Sequence, residues 1–217
     1  MMQSLVEYEE IVFETIQDYL NKNRIFDMKK IIPYLKSKFA KSKKIKINNE
    51  GIQKILISLA KKKMVIDGSK FTRKDVLMSS KRKIIYNYIK ENPGTYCNKI
   101  ANEFEMTNFH VYWHLTVLLK FNFIKKTIID NHPVYYDSNI DLSDAIKFYL
   151  ISKKISKKII NYLKINSCGI ARTKLSIDLK IHYSTLKKYI NSLVEFNIIS
   201  KVKRSNQILY FFEEKLN

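Results

Sequence analysis

The stretch Met106–Lys126, MTNFHVYWHLTVLLKFNFIKK, changes its hydrophobic period partway along. Val111, Leu115, Leu118, Leu119 and Asn122 recur at the three- and four-residue steps of one buried helical face, and Thr107 stands where an N-cap belongs. After Asn122 the alternation becomes that of a strand. The spacing predicts a helix followed at once by a basic hairpin: strand Ile124–Ile129, turn Asp130–Pro133 and strand Val134–Asp137.

Outward from this stretch, Lys83–Asn92 reads as a helix stopped by Pro93-Gly94, and Tyr96–Phe104 as a shorter one. From Gly94 onward the device recurs 75 positions later without a gap. Gly94 falls on Gly169, Lys99 on Lys174, Val111 on Leu186, Leu115 on Ile190, Leu118 on Leu193, Asn122 on Asn197 and Tyr135 on Tyr210, and LLKFNFIKK matches LVEFNIISK. A duplication or a strong shared constraint follows. Between the copies, Asp141–Ser152 reads as an extra helix that either runs on into a helix at Lys157–Asn166 or packs back as a linker.

Before the first copy, apolar spacing gives a helix over Val6–Leu20 and a second over Met28–Ala40, capped by Asp27, with Pro33 kinking it or delaying its start. Asn48 caps a third through Lys63, and Met64–Thr72 reads as a small hairpin turning at Asp67-Gly68. At an offset of 59, Ile52, Leu56, Leu59 and Val65 fall under Val111, Leu115, Leu118 and Ile124. Three modules result: 1–77, 78–139, and 140–217 with the linker helix. Each is small for a core, so packing between neighbours is expected to contribute to stability.

The 217 residues carry a formal charge of +20, and 35 of the 40 basic residues are lysine. A polyanionic partner, most simply nucleic acid, is the direct implication. The abundance of Ile, Lys, Asn, Tyr and Phe equally fits the codon usage of an AT-rich genome, which raises lysine without functional demand. Basic side chains exceed acidic ones by 8, 3 and 9 in the successive modules, so the outer two carry the excess. Two cysteines without C-x-x-C spacing fit a reducing cytoplasm. The acidic N-terminal stretch is unlike a signal peptide, and no apolar run approaches the roughly 18 residues of a membrane helix.

Four scattered glycines make no phosphate cradle, and neither a nucleophile elbow nor a paired-acid motif is present, so an enzyme or a cofactor is not expected. His110 and His114 lie four apart, but no nearby carboxylate or cysteine completes a metal site, with Cys97 and His132 the only conceivable additions. No metal is expected.

The helix ending Asn92-Pro93-Gly94, the segment Lys99-Ile100-Ala101 to Phe104, and Val111-x-x-His114-Leu115-x-x-Leu118 followed by Ile124 resemble archaeal transcriptional regulators built from tandem winged helices, related to the ArsR and MarR types. The resemblance covers module two well, module three fairly and module one in outline. It implies a mainly α fold with small β-wings, three tandem winged helix-turn-helix modules, and binding of double-stranded DNA with the third helix of a module in the major groove and the wing on a phosphate strand. Regulators of this kind usually pair as homodimers on two half-sites, whereas a tandem chain carries two readers itself.

Under that resemblance the residues expected to meet DNA are Tyr183, Ser184, Lys187, Lys188 and Asn191 on the third helix of module three, and Lys201, Lys203 and Arg204 on its wing. In module one they are Gln53 and Lys54, with Lys43, Lys44 and Lys46 in a lysine-dense stretch that reads equally as a solvated loop. Module two departs from the pattern. Trp113 takes the place of Lys188 and Lys54, and Tyr112 that of Lys187 and Gln53; with Phe109 they form a candidate apolar patch, to be covered by a neighbouring module, a second copy or a protein partner, with thymine-methyl or stacking contacts to bases and an inward-leaning core Trp113 as the other readings. Winged helices also serve as docking modules, so an interaction subunit resembling those of endosomal-sorting (ESCRT) complexes or general transcription factors is the alternative reading.

Overall fold

A computed structural model describes residues 5–23, 25–41, 47–204 and 206–213. By proximity the chain divides into two compact units, Met1–Glu91 with Tyr96–Lys126, and Asn92–Thr95 with Thr127–Asn217.

The first unit begins with helices α1 (Leu5–Asn23), α2 (Met28–Ala40) and α3 (Asn49–Lys61). They pack through a stripe that includes Val12, Phe13, Ile16, Ile31, Leu35, Ile52, Leu56 and Leu59, all buried. The Asp27 carboxylate caps α2 by accepting from the amides of Lys29 and Lys30, and Asn48 caps α3 by accepting from Gly51. The helix α2 is continuous through Pro33.

The expected hairpin at Met64–Thr72 is not formed; these residues are turns and bends. The Asp67-Gly68 turn is real, with Gly68 at φ +72°, but its partners are elsewhere. The Asp67 carboxylate accepts from the Met28 amide at 2.8 Å, while Gly68 donates to Phe26 and Phe26 donates to Ser69. Backbone groups spent on the entry to α2 cannot pair with each other. The segment then enters a short helix, α4 (Arg73–Val76), closed by a capping box between Thr72 and Asp75.

Helices α5 (Ser80–Glu91), α6 (Cys97–Glu103) and α7 (Asn108–Lys120) follow, α6 led in by strand β1 (Thr95–Tyr96). Ile85, Ile89, Ile100, Val111, Leu115 and Leu118 are fully buried. Arg73 ties α4 to the end of α7, donating to the Phe121 carbonyl with its guanidinium 4.3 Å from the centre of the Phe123 ring.

After β2 (Ile124–Ile129) and β3 (His132–Asp137) comes α8 (Leu142–Ser152), then α9 (Lys154–Ile165). The open alternative for the linker is resolved by Lys153, whose extended backbone (ψ 135°) separates the two helices. Helix α8 rests on Gly94, where a Cβ would come within 2.8 Å of the Ala145 carbonyl oxygen and the Tyr149 amide. Strand β4 (Ile170–Ala171), helices α10 (Arg172–Leu179) and α11 (Tyr183–Glu195), and strands β5 (Ile199–Arg204) and β6 (Gln207–Phe212) complete the second unit. Its core includes Ile159, Leu163, Leu175, Leu186, Ile190, Leu193 and Ile199.

The two three-stranded sheets have equivalent orders, β1-β3-β2 and β4-β6-β5. Strands β1, β2 and β3 and helix α7 have the same bounds as β4, β5, β6 and α11 after a shift of 75. Asn122 and Asn197 both end the repeated helix in the left-handed region, at φ 55° and 54°. The leading helices α5 and α9 are related by 74 instead, so one residue is gained before Gly169. A mostly helical chain with small antiparallel sheets of this kind is compatible with a winged-helix architecture.

Candidate nucleic-acid interface

Helix α11 is aimed by the two residues that lead into it, Lys180 and His182. Lys180 leaves α10 in the left-handed region at φ 52°, and the His182 ring then caps α11, its Nδ1 accepting from the Ser184 amide at 3.4 Å. Leu186, Ile190 and Leu193 turn inward with no exposure, which puts Tyr183, Ser184, Lys187, Lys188 and Asn191 on the outside. All five expected residues of this helix are exposed.

Within the same unit α11 packs on β5, where Lys201, Val202, Lys203 and Arg204 are exposed in succession. The hairpin register sets Lys201 opposite Tyr210, Lys203 opposite Ile208 and Arg204 opposite Gln207. The Arg204 guanidinium sits 5.4 Å from the centre of the Phe211 ring, which steadies it without neutralising it. About two turns of helix and the neighbouring strand thus offer several exposed donors. Arg172, at the start of α10, lies 4.6 Å from the centre of the Tyr183 ring, and its Nε has no partner.

Lys188 differs from its neighbours. Its Nζ lies 3.3 Å from a carboxylate oxygen of Asp130, the residue at the tip of the β2–β3 hairpin, and Lys153 approaches the same carboxylate at 3.9 Å. With 70 % of the Lys188 side chain exposed, such a pair contributes little stability, but it competes with a phosphate for that ammonium group.

In the first unit Gln53 and Lys54 are exposed on α3, and Lys54 pairs with Glu50 one turn away at 3.0 Å. Lys43, Lys44 and Lys46 lie outside the described residues.

The equivalent face of α7 carries other chemistry. Phe109, Tyr112 and Trp113 are 78 %, 59 % and 48 % exposed, so the aromatic patch is open and Trp113 is not a core residue. Trp113 is nevertheless braced, its ring 5.3 Å from the Arg82 guanidinium and edge-on to His114 at 4.9 Å. His114 is buried, and its Nδ1 has no hydrogen-bond partner. Burial first, then the positive charges of Arg82 and Lys81 and the nearby His110, hold its imidazole below the usual range. His110 is exposed, so the two histidines do not share an accessible face. Among the described residues no group of three His, Cys, Asp or Glu side chains could hold a metal ion.

Sequence reasoning missed Arg82, which stands in the basic run Lys81-Arg82-Lys83. It is 2 % exposed. The signal was its spacing: Arg82, Ile85 and Ile89 follow the inward stripe of α5, and the matching position of α9 is the fully buried Ser156.

No helix among the described residues is long and apolar enough to cross a membrane. No protein-family model matches the chain. An uncharacterized HTH-type transcriptional regulator of the archaeon Methanocaldococcus jannaschii is 28 % identical to it over 141 residues, 65 % of this chain. The matched part is 35 % of that relative's length, so the chain is similar to about a third of an archaeal HTH-type regulator.

Proposed function

We propose that the chain is a regulator of transcription that binds double-stranded DNA through recognition helices and basic wings. In this reading it is a cytoplasmic, non-enzymatic protein, and its modules 1–77, 78–139 and 140–217 are three winged-helix units, the first lacking its hairpin. The observation that carries the proposal is the outward face of α11 beside β5: Tyr183, Ser184, Lys187 and Asn191 can reach base edges, while Lys201, Lys203 and Arg204 follow a phosphate strand. Gln53 and Lys54 on α3 offer a second, weaker set, Lys54 being partly neutralised by Glu50. The similarity to the archaeal regulator supports the same class of activity.

Recovery of bound duplexes from a random pool, followed by a salt titration on the selected sequence, tests the reading. Neutralising six to ten phosphates should lower affinity by roughly 10³- to 10⁵-fold between about 50 and 200 mM salt. Binding without salt dependence, or no enrichment at all, rejects it.

A second reading rests on a separate observation, the open aromatic face of α7. There, module two is a docking surface for protein, either a second copy or another polypeptide, rather than a reader of DNA. A Tyr112→Ala/Trp113→Ala variant that keeps duplex affinity but loses its oligomeric state or partner supports docking; unchanged assembly counts against it.

A further inference from the structure

A cavity of about 490 Å³ opens on the first unit, with walls from Gln17, Lys70, Phe71, Asp75, Met78 and Arg82. Its size falls within the range of small-molecule sites. Arg82 is the unusual wall. Its Nη1 donates to the Val76 carbonyl at 2.6 Å, but its Nε has no partner, and among the described residues no carboxylate forms an ion pair with it. The rings of Phe71 and Trp113 lie 4.9 and 5.3 Å from the guanidinium carbon. Aromatic faces attract a cation but do not satisfy its N–H groups, and a buried charge without a counter-ion is costly.

We infer that this cavity binds a small monoanionic carboxylate carrying an apolar body. The charge follows from the walls: Arg82 and Lys70 are cationic, and Asp75 is the one acid among the lining residues. The Asp75 carboxylate is already committed, accepting from the Thr72 amide at 2.9 Å and the Thr72 hydroxyl at 2.6 Å. It therefore leaves Arg82 uncompensated and repels a dianion such as a phosphate ester. A carboxylate matches the planar guanidinium fork, while Phe71 and Met78 supply apolar surface for the rest of the ligand. The site shares no residue with α11 or β5, and its occupation is tested without reference to whether the chain binds DNA.

The test is a titration of the isotope-labelled full chain, following the side-chain Nε–H signals of its five arginines by NMR. The probes are acetate, hexanoate and phenylacetate, with phenylacetamide as the neutral counterpart of the last. One signal, identified by its disappearance in Arg82→Met, should shift saturably with phenylacetate, and phenylacetamide should bind roughly tenfold or more weakly. Lys70→Ala, on the cavity wall, should weaken phenylacetate several-fold with the fold intact, so the outcome stands even where Arg82→Met does not fold. Equal binding of the amide, binding indifferent to both substitutions, or no shift with any of the three carboxylates at millimolar concentration overturns the inference.

Discussion

Helices α7 and α11 share length, inward stripe and exit geometry, yet face outward with opposite chemistry. Val111, Leu115 and Leu118 are matched by Leu186, Ile190 and Leu193, all without exposure, while Phe109, Tyr112 and Trp113 stand where the other copy has Ser184, Lys187 and Lys188. The buried half of each helix is fixed by close packing, in which even a methylene is felt. Its outer half is free to vary, because surface substitutions cost little. A repeat therefore conserves its scaffold more strictly than its partner, and the DNA reading proposed for α11 does not pass automatically to α7.

The scaffold half of this comparison breaks most severely at the paired glycines. At Gly94 a Cβ meets the backbone of α8, whereas at Gly169 it meets the Phe211 ring, a partly buried side chain that can turn away. Both residues have positive φ, 80° and 82°. Chemical denaturation should show Gly94→Ala losing about 3 kcal/mol and Gly169→Ala about 1–2 kcal/mol. Equal losses would mean that the two turns are packed alike.

Exchanging the outer halves tests the other side. Lys187→Tyr with Lys188→Trp gives α11 the surface of α7, and should weaken duplex binding about tenfold at low salt and flatten the salt slope by about 1–2. Tyr112→Lys with Trp113→Lys should give α7 a measurable salt-dependent contribution and lower the melting temperature, because a like charge replaces the ring that braces Arg82. Duplex affinity indifferent to both exchanges would remove α11 from the interface.

His114, matched in α11 by the half-buried Tyr189, distinguishes the copies by pH. Its folded imidazole titrates below the ordinary value, chiefly through burial, so on acidification the unfolded chain takes up a proton first. Stability should be unaffected above the ordinary imidazole range and fall as pH drops through it, the loss ending below the folded pKa. Thermal melts of His114→Gln should lack this component. The smallest effect belongs to Asp130→Asn, which frees Lys188: stability should change by less than about 1 kcal/mol, with duplex affinity rising a few-fold.

Much of this was legible in the sequence where two signals coincide. The bounds of α7 follow from Thr107 and its apolar period, and the repeat then transfers them to α11. The hairpin expected at Met64–Thr72 failed because Asp67-Gly68 satisfies two geometries, and only the tertiary bond from the Met28 amide selects between them. The capping box Thr72-x-x-Asp75 was the overlooked local sign of α4. No Gly, Pro or Asn marks the break at Lys153, which follows from how α8 and α9 pack. Arg82 stayed hidden because a buried cation and a solvated one are spelled alike, and only its register with Ile85 and Ile89 separates them.

The left-handed asparagines at positions 122 and 197 have an evolutionary corollary. Because each copy leaves its helix through the same backbone gate and enters its hairpin in the same phase, the segments 108–129 and 183–204 are interchangeable parts at the level of chain geometry. Recombination between them would keep the backbone path from helix to hairpin while transplanting an entire face, so such a chain has a short genetic route to acquiring, losing or relocating a reading surface.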